Sequence, residues 1–502
     1  MTVASAVEGA STTDSVPYVS VHETHTGVVV LAGDRAYKAK KPVLTDFLDF
    51  RTPEQRERAC LREVELNSRL TPASYLGVAH LSDPTGGPAE PLVVMRRYRD
   101  NDRLASMVKH GQSVEPVLDR IADVLAHFHE TADRSPVISA QGEIGAIERR
   151  WRENLSELSG YAQMAISGVP GETIVRIQYL AGEFISGREP LFTRRVEEGC
   201  IVDGHGDLLA DDIFWVDAEP ALLDCLEFDD ELRYLDCDDD AAFLAMDLEF
   251  LRRKDLGDYF LGRYVAHAAD SAPSSLRDFY IAYRAVVRAK VDCLRRSQGR
   301  AEAAADAARH LAIAIQHLQN GAIRLALVGG GPGTGKSTLA RALAEKVGAQ
   351  VISTDDLRRE LRESGAIAGD PRVLDEGLYS PDNVAAVYEE ALRRARLWLS
   401  DGQSVVLDGT WRDRRTRARA HHVAAQTHSA VVEMQCTAKG DTASDRITTR
   451  RPGNSDATPD IAVALAAQFQ SWDTAHQMDT SRPFADSLRD AHDFWCRATQ
   501  EE

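Results

Sequence analysis

The sequence predicts two architectures in one chain: an α+β half at the N-terminus and an α/β half with a parallel sheet at the C-terminus. Three observations carry this. A phosphate loop, Gly-Gly-Gly-Pro-Gly-Thr-Gly-Lys-Ser-Thr at 329–338, follows the apolar run Ile323–Val328 and precedes a helical pattern over Leu339–Val347. Beyond it, strand and helix patterns alternate as far as residue 488, a βαβ succession. Before it, short strands surround one helix over 18–100, and a mostly helical stretch over 115–300 is interrupted by a hairpin-bearing segment at 201–224.

The elements follow in order. Residues 1–15 are small and Ser/Thr-rich, which predicts disorder. Val28–Leu31 and Arg35–Lys40 flank Gly33-Asp34 and predict a hairpin. Thr52–Leu70 has a proline near its start and apolar or small residues at Ala59, Val64, Leu66 and Leu70, an amphipathic helix pattern. Leu92–Met95 is a further strand. Ile213–Val216 and Ala221–Leu223 flank a turn at Asp217–Pro220. The alanine-rich residues 300–322 predict a connector helix. Strands follow at Arg324–Val328, Gln350–Ile352, Ser404–Leu407 and Ala430–Gln435. The expected domains are 16–298, a connector 299–322, a phosphate-loop domain 323–488 and a tail 489–502.

Bulk properties bound the function. A chain of 502 residues holds about three ordinary domains or two large ones. Its 59 basic and 78 acidic residues leave a net charge of −19, which disfavours a broad phosphate-backbone-binding surface and hence a nucleic-acid partner. Seven cysteines without a C-x-x-C pair fit free thiols in a reducing compartment. There is no apolar run of about 18 residues and no basic-then-apolar leader, so a cytoplasmic protein with no membrane partner is expected.

The phosphate loop carries the strongest chemistry. Its glycines (Gly330, Gly331, Gly333, Gly335) let successive backbone N–H groups, with those of Thr334 and Thr338, turn towards phosphate oxygens. Lys336 reaches the β- and γ-phosphates, and Ser337 is placed to ligate Mg²⁺. Asp355 ends the strand pattern Ile352-Ser353-Thr354-Asp355, at the strand end that faces the ligand crevice of an open α/β sheet, and suits a general base. Arg358 lies about one helical turn on and could hold a substrate phosphate or carboxylate. Asp408 ends Val405-Val406-Leu407-Asp408 and could hold Mg²⁺. Arg446, Arg450 and Arg451 fall within six residues, the composition of a lid that brings charge to a transferring phosphoryl group.

These features resemble the small kinase branch of the P-loop enzymes, with relatives such as gluconate kinase, zeta-toxin-type kinases and the kinase part of polynucleotide kinase. The match spans about 323–475. It rests on Gly330–Ser337, Thr354-Asp355-x-x-Arg358, Leu407–Trp411 with Arg417 beyond, Arg446, Arg450 and Ser455–Ala457. The resemblance implies that Asp355 activates the acceptor hydroxyl and that Arg358 and Arg417 face the acceptor.

The N-terminal half carries Gly204-His205-Gly206-Asp207-Leu208 and, after the hairpin, Leu223-Asp224-Cys225. His-Gly-Asp-Leu resembles the catalytic loop of the aminoglycoside phosphotransferase family, which has a protein-kinase-like bilobal fold. The resemblance covers about 20–295 and implies a base at Asp207 and metal ligands at Asp212 and Asp224. Lys38 or Lys40 would face nucleotide phosphates, Glu63 would pair with that lysine, and 92–98 would form the hinge. The chain looks closest to the bacterial group in which such a domain precedes a P-loop kinase. It departs from the pattern in having Leu209 where the family has His, Asp212 where it has Asn, and only Gly27, beside Thr24-His25-Thr26, in the nucleotide loop. The expected activity is ATP- and Mg²⁺-dependent transfer of the γ-phosphoryl group to a hydroxyl of a small molecule, chiefly in the C-terminal domain with the N-terminal domain as a second site. A nucleotide-gated regulatory protein with a degenerate N-terminal domain and a nucleic-acid-end kinase are the alternatives.

Overall fold

The computed structural model describes residues 18–23, 27–44, 49–163, 169–370, 376–449 and 468–500. The expected disordered start at 1–15, Thr24–Thr26, Arg450, Arg451 and Ser455–Ala457 lie outside them. Contacts divide the chain into two units. The first takes in the described residues up to Ala132 with Asp203–Arg233 and Gly262–Ala268; the second takes in Asp133–Val202, Tyr234–Leu261 and the described residues from Ala269 on. This division differs from a boundary at 298, because several helices of the N-terminal half pack with the phosphate-loop half.

The first unit is built on a five-stranded sheet. Strands β1 (Val19–Glu23), β2 (Gly27–Ala32), β3 (Arg35–Lys40), β4 (Tyr75–Leu81) and β5 (Glu90–Arg96) form an antiparallel sheet in the order β1-β2-β3-β5-β4. The helix Pro53–Ser68 begins in a reciprocal cap between Thr52 and Gln55. It presses Cys60 and Val64 onto Tyr75, Val93 and Met95 of the sheet. The first unit's segment Asp203–Arg233 carries the hairpin β7 (Ile213–Val216) and β8 (Glu219–Leu222), and in sequence it lies between the short strands β6 (Ile201–Asp203) and β9 (Tyr234–Asp236), which fall almost wholly in the second unit. Thr71 anchors that hairpin: its hydroxyl donates to the Leu222 carbonyl at 2.9 Å and accepts from the Leu222 N–H at 3.1 Å.

The second unit is built on five parallel strands, β10 (Arg324–Gly329), β11 (Gln350–Ser353), β12 (Val405–Asp408), β13 (Ala430–Thr437) and β14 (His476–Asp479), in the order β11-β12-β10-β13-β14. One face buries Leu325, Leu327, Val405 and Leu407 with Trp411 and Trp472; the other buries Ala326, Val328, Val406 and Met434 with Leu339, Leu343 and Trp495. β14 was absent from the sequence expectation. The helix Phe484–Arg497 runs through the expected start of the tail at 489 and buries Ala491 and Trp495 against the sheet, so those residues belong to the domain.

A layer of helices from the N-terminal half packs within this unit. The expected connector is the helix Ala303–Gly321, which buries Ala307, Leu311, Ala314 and Leu318 and is a layer member rather than a spacer. Arg188 is wholly buried and donates to the Thr427 carbonyl at 2.7 Å and the His428 carbonyl at 3.2 Å. Burial pushes its pKa down to about 9. Beside it, a Cβ on Gly187 would stand 2.4 Å from the Thr427 carbonyl oxygen. Arg194 pairs with Asp401 at 2.8 Å, and the Ser275 hydroxyl donates to the Gly402 carbonyl at 2.5 Å. Deeper in the layer, Arg195 pairs with Asp236 at 2.6 Å and Asp270 at 2.8 Å, while neighbouring Asp238 is buried with neither carboxylate oxygen hydrogen-bonded. Among the described residues no helix is long and apolar enough to cross a membrane.

Candidate functional site

The phosphate-loop site is assembled by sheet register. Val328 at the end of β10 stands level with Asp408 on β12, and Asp408 stands level with Ser353 on β11. The loop at 329–337, Asp355 and Asp408 therefore follow the carboxyl ends of neighbouring parallel strands, the side on which open α/β sheets bind their ligands. Two glycines need their freedom here. Gly330 has φ +138° and Gly335 has φ +80°, conformations that L side chains rarely adopt. The helix Lys336–Val347 then starts with its free N–H groups at the loop.

Asp408 is nearly buried, and its Oδ1 has no hydrogen-bond partner. Burial raises its pKa, opposed by the Lys336 charge and a Ser337 hydrogen bond. A buried, half-satisfied carboxylate beside the loop's lysine and serine suits a divalent cation. Asp355 sits in the first turn of the helix Thr354–Glu363, whose N-cap is Ser353. Arg358 pairs with Asp355 at 2.7 Å and lies over the Tyr379 ring at 4.6 Å, with its Nε buried and unpartnered. Its partners in the structure are thus the expected base and an aromatic ring.

Two further arginines are placed differently from expectation. Arg417 is buried in a wall, donating to the Trp411 carbonyl at 2.6 Å and the Ser471 carbonyl at 2.7 Å, with its guanidinium over the Trp472 ring. Its donors hold backbone rather than facing an acceptor. Arg446, on the helix Gly440–Thr449, donates to the Thr480 carbonyl at 2.8 Å, the Thr480 hydroxyl at 3.2 Å and the Gly333 carbonyl at 3.4 Å. Thr480, which follows β14, escaped the sequence reading because no motif marks it. So did Tyr388, whose hydroxyl meets the Thr410 hydroxyl at 3.2 Å and accepts from the Trp411 N–H at 3.2 Å.

The first unit holds its own constellation. Lys38 pairs with Glu63 Oε1 at 2.9 Å and Asp224 Oδ1 at 2.7 Å; Lys40 pairs with Glu63 Oε2 at 2.6 Å and with Glu227. Glu63, fully buried, is thus forked between two lysines. Lys38 also reaches Asp224 after the hairpin, whereas Lys40 reaches Glu227 instead. Desolvation pulls the Lys38 pKa down, but Asp224, Glu63 and Glu227 outweigh it and hold the ammonium well above its ordinary value.

Asp224 has φ +63°, a strained backbone for a non-glycine residue, and its N–H donates to the Tyr75 hydroxyl at 3.1 Å. The Leu223 N–H donates to the Asp212 carbonyl at 3.0 Å, which sets Asp212 beside Asp224. Desolvation, then Asp224 and Asp207, raises the Asp212 pKa well above the carboxylate range, whereas Lys38 lowers that of Asp224. His205 is buried; its Nδ1 accepts from the Asp207 N–H at 3.3 Å and its Nε2 donates to the Leu223 carbonyl at 3.1 Å, tying the Asp207 segment to the Asp224 segment. Leu209 is packed in the core. The crowded carboxylates of Asp207, Asp212 and Asp224 fit a cation's charge. Among the described residues no group of three or more His, Cys, Asp or Glu forms a metal cage by itself. Mg²⁺ at either site would complete its shell with phosphate oxygens and water, its ordinary habit.

A family model described as an AAA domain matches residues 325–471. Uncharacterised proteins of Mycobacterium tuberculosis and Mycobacterium bovis are each 67% identical over 479 residues, which is 95% of this chain and 96% of theirs. A gluconokinase of Sinorhizobium meliloti is 17% identical and covers 36% of this chain and 94% of its own, with a TM-score of 0.28. A choline/ethanolamine kinase family protein of Mesorhizobium loti is 16% identical and covers 60% of this chain and 90% of its own, with a TM-score of 0.36.

Proposed function

We propose that this chain, which belongs to the family of the mycobacterial proteins above, is an ATP-dependent phosphotransferase that moves a γ-phosphoryl group to a hydroxyl of a small molecule. The observation that carries the reading is the convergence of the phosphate loop, Asp355 and Asp408 at the carboxyl ends of neighbouring strands through the parallel register of β10, β11 and β12. In this reading the loop N–H groups and Lys336 hold the phosphates in line. Asp355, oriented by Arg358, accepts the proton of the acceptor hydroxyl as the phosphorus–oxygen bond forms and ADP leaves. Ser337 and Asp408 would hold Mg²⁺, which would supply neutralisation of the developing negative charge. The net charge of −19 favours a small acceptor over a nucleic-acid end.

The Lys38–Glu63–Asp224 chain of ion pairs supports a second nucleotide site in the first unit, with Asp207 as base and Asp212 and Asp224 as metal ligands. Calorimetric titration with ATP and Mg²⁺, and acceptor-stimulated ADP release across a panel of polyols, sugars and amino alcohols, test both sites. Two binding sites falling to one in Lys336→Ala are expected, as is residual turnover removed by Asp207→Ala. Asp355→Asn should keep ATP binding and lose acceptor phosphorylation. ATP binding without stimulation by any hydroxyl compound would turn the reading towards a nucleotide-gated regulator; stimulation by oligonucleotide ends alone would make it a nucleic-acid kinase.

A further inference from the structure

Thr480 lies beyond the segment that the AAA-domain model matches, 325–471. It is buried, and its environment is unusual for a residue in a strand-end turn. Its hydroxyl meets two acceptors, the Thr334 carbonyl of the phosphate loop at 2.6 Å and, at the longer distance of 3.0 Å, the Thr437 carbonyl, and it accepts from Arg446 Nη1 at 3.2 Å. Its own N–H donates to the Thr437 carbonyl at 2.9 Å, which ties it to the end of β13. A Cβ added to Gly335 would meet Arg446 Nη1 at 3.3 Å and the Thr480 hydroxyl at 3.5 Å, so both side chains lie flat against the loop.

The Thr334 carbonyl and the Gly335 N–H belong to one planar peptide and point in opposite directions. Holding that carbonyl outward against Thr480 aims the Gly335 N–H inward, where the loop cradles a phosphate. Arg446 donating to the same oxygen polarises the hydroxyl and strengthens its donation. Arg446 also reaches the Gly333 carbonyl, so the next peptide back is held from the same side.

We propose that Thr480 is a positioning residue that presets the phosphate loop, with Arg446 acting through it. The inference rests on the reading of 329–338 as a nucleotide site. An unanchored peptide 334–335 would have to be ordered by the ligand, and that ordering would be subtracted from affinity.

The test uses the full chain, with MgADP and inorganic pyrophosphate titrated into wild type, Thr480→Val, Thr480→Ser and Lys336→Ala, the last serving as the blank. Valine keeps the shape and β-branch and removes the hydroxyl. The expected result is about a tenfold loss of affinity for both ligands in Thr480→Val, the scale of one hydrogen bond, and recovery to within about twofold in Thr480→Ser. Equal loss in both variants would make Thr480 a packing residue. Loss for ADP without loss for pyrophosphate would move its action to the nucleoside. Wild-type affinity in Thr480→Val would remove the role entirely. Each of these overturns the proposal while leaving the nucleotide site intact. Wild type and Lys336→Ala behaving alike would remove the nucleotide site itself, and the proposal with it.

Discussion

Asp238 offers the sharpest arithmetic in the structure. It sits in the first turn of the helix Cys237–Phe250, wholly buried, with neither oxygen hydrogen-bonded. Burial, then Asp270 and Asp236, pushes its pKa up to about 7 from the ordinary 3.8, against Arg195 and Arg277, the latter 3.7 Å away. A carboxyl with a raised pKa in the folded protein holds its proton more tightly there than in the unfolded chain. Stability is therefore lost as pH rises from about 4 to about 7 and is level above that. At about 1.4 kcal/mol per pH unit, the gap between 3.8 and about 7 sets an upper bound of about 4.5 kcal/mol. Asp238→Asn keeps the shape, removes the charge and adds two donors facing Asp236 and Asp270. Thermal unfolding of wild type and variant at pH 5 and pH 8 should show the variant gaining about 2–4 kcal/mol at pH 8 and much less at pH 5. A difference between the two proteins that is the same at both pH values, or a variant less stable at pH 8, would refute the reasoning.

Two further outcomes follow from the geometry. Glu63→Gln leaves Lys38 and Lys40 to repel each other without their shared carboxylate; nucleotide binding at the N-terminal site, isolated in a Lys336→Ala background, should weaken by about tenfold or more in calorimetry. Gly187→Ala drives a methyl to 2.4 Å from the Thr427 carbonyl oxygen, which forces a backbone shift and should cost about 1–3 kcal/mol, read as a lowered unfolding midpoint.

The parts of the site that were legible in the sequence are those whose demands are local. Gly330 and Gly335 announce themselves because only glycine tolerates their backbone angles, and Lys336 and Ser337 come at a set distance from them. Asp408 was legible because it ends an apolar run and Asp355 because it follows one within three residues, and strand ends become a crevice once the sheet is parallel. Arginines were not legible in the same way. Arg358, Arg417 and Arg446 have the same chemistry in sequence, yet one pairs with Asp355, one props two carbonyls and one rests on the phosphate loop, choices made by residues up to 113 positions away. That Glu63 meets both Lys38 and Lys40, one with each oxygen, was not legible either. β14 was missed because His476–Asp479 is four residues long and carries one buried apolar side chain, Met478; its neighbour β13 defines it, not its own periodicity. The helix Ala303–Gly321 read as a spacer because alanine signals helix in isolation and says nothing about what its face will meet.

The seam at Gly187, Arg188, Arg194 and Ser275 bears on how this chain can be taken apart. A fragment starting at 323 would keep every residue of the phosphate-loop motif and every strand of its sheet. It would also carry bare carbonyls at Gly402, Thr427 and His428 and an unanswered carboxylate at Asp401, all of which Ser275, Arg188 and Arg194 now satisfy. The smallest autonomous piece of this chain that contains the phosphate loop is therefore larger than the loop's own fold, and a screening fragment should begin before Gly171 rather than after the last helix of the layer.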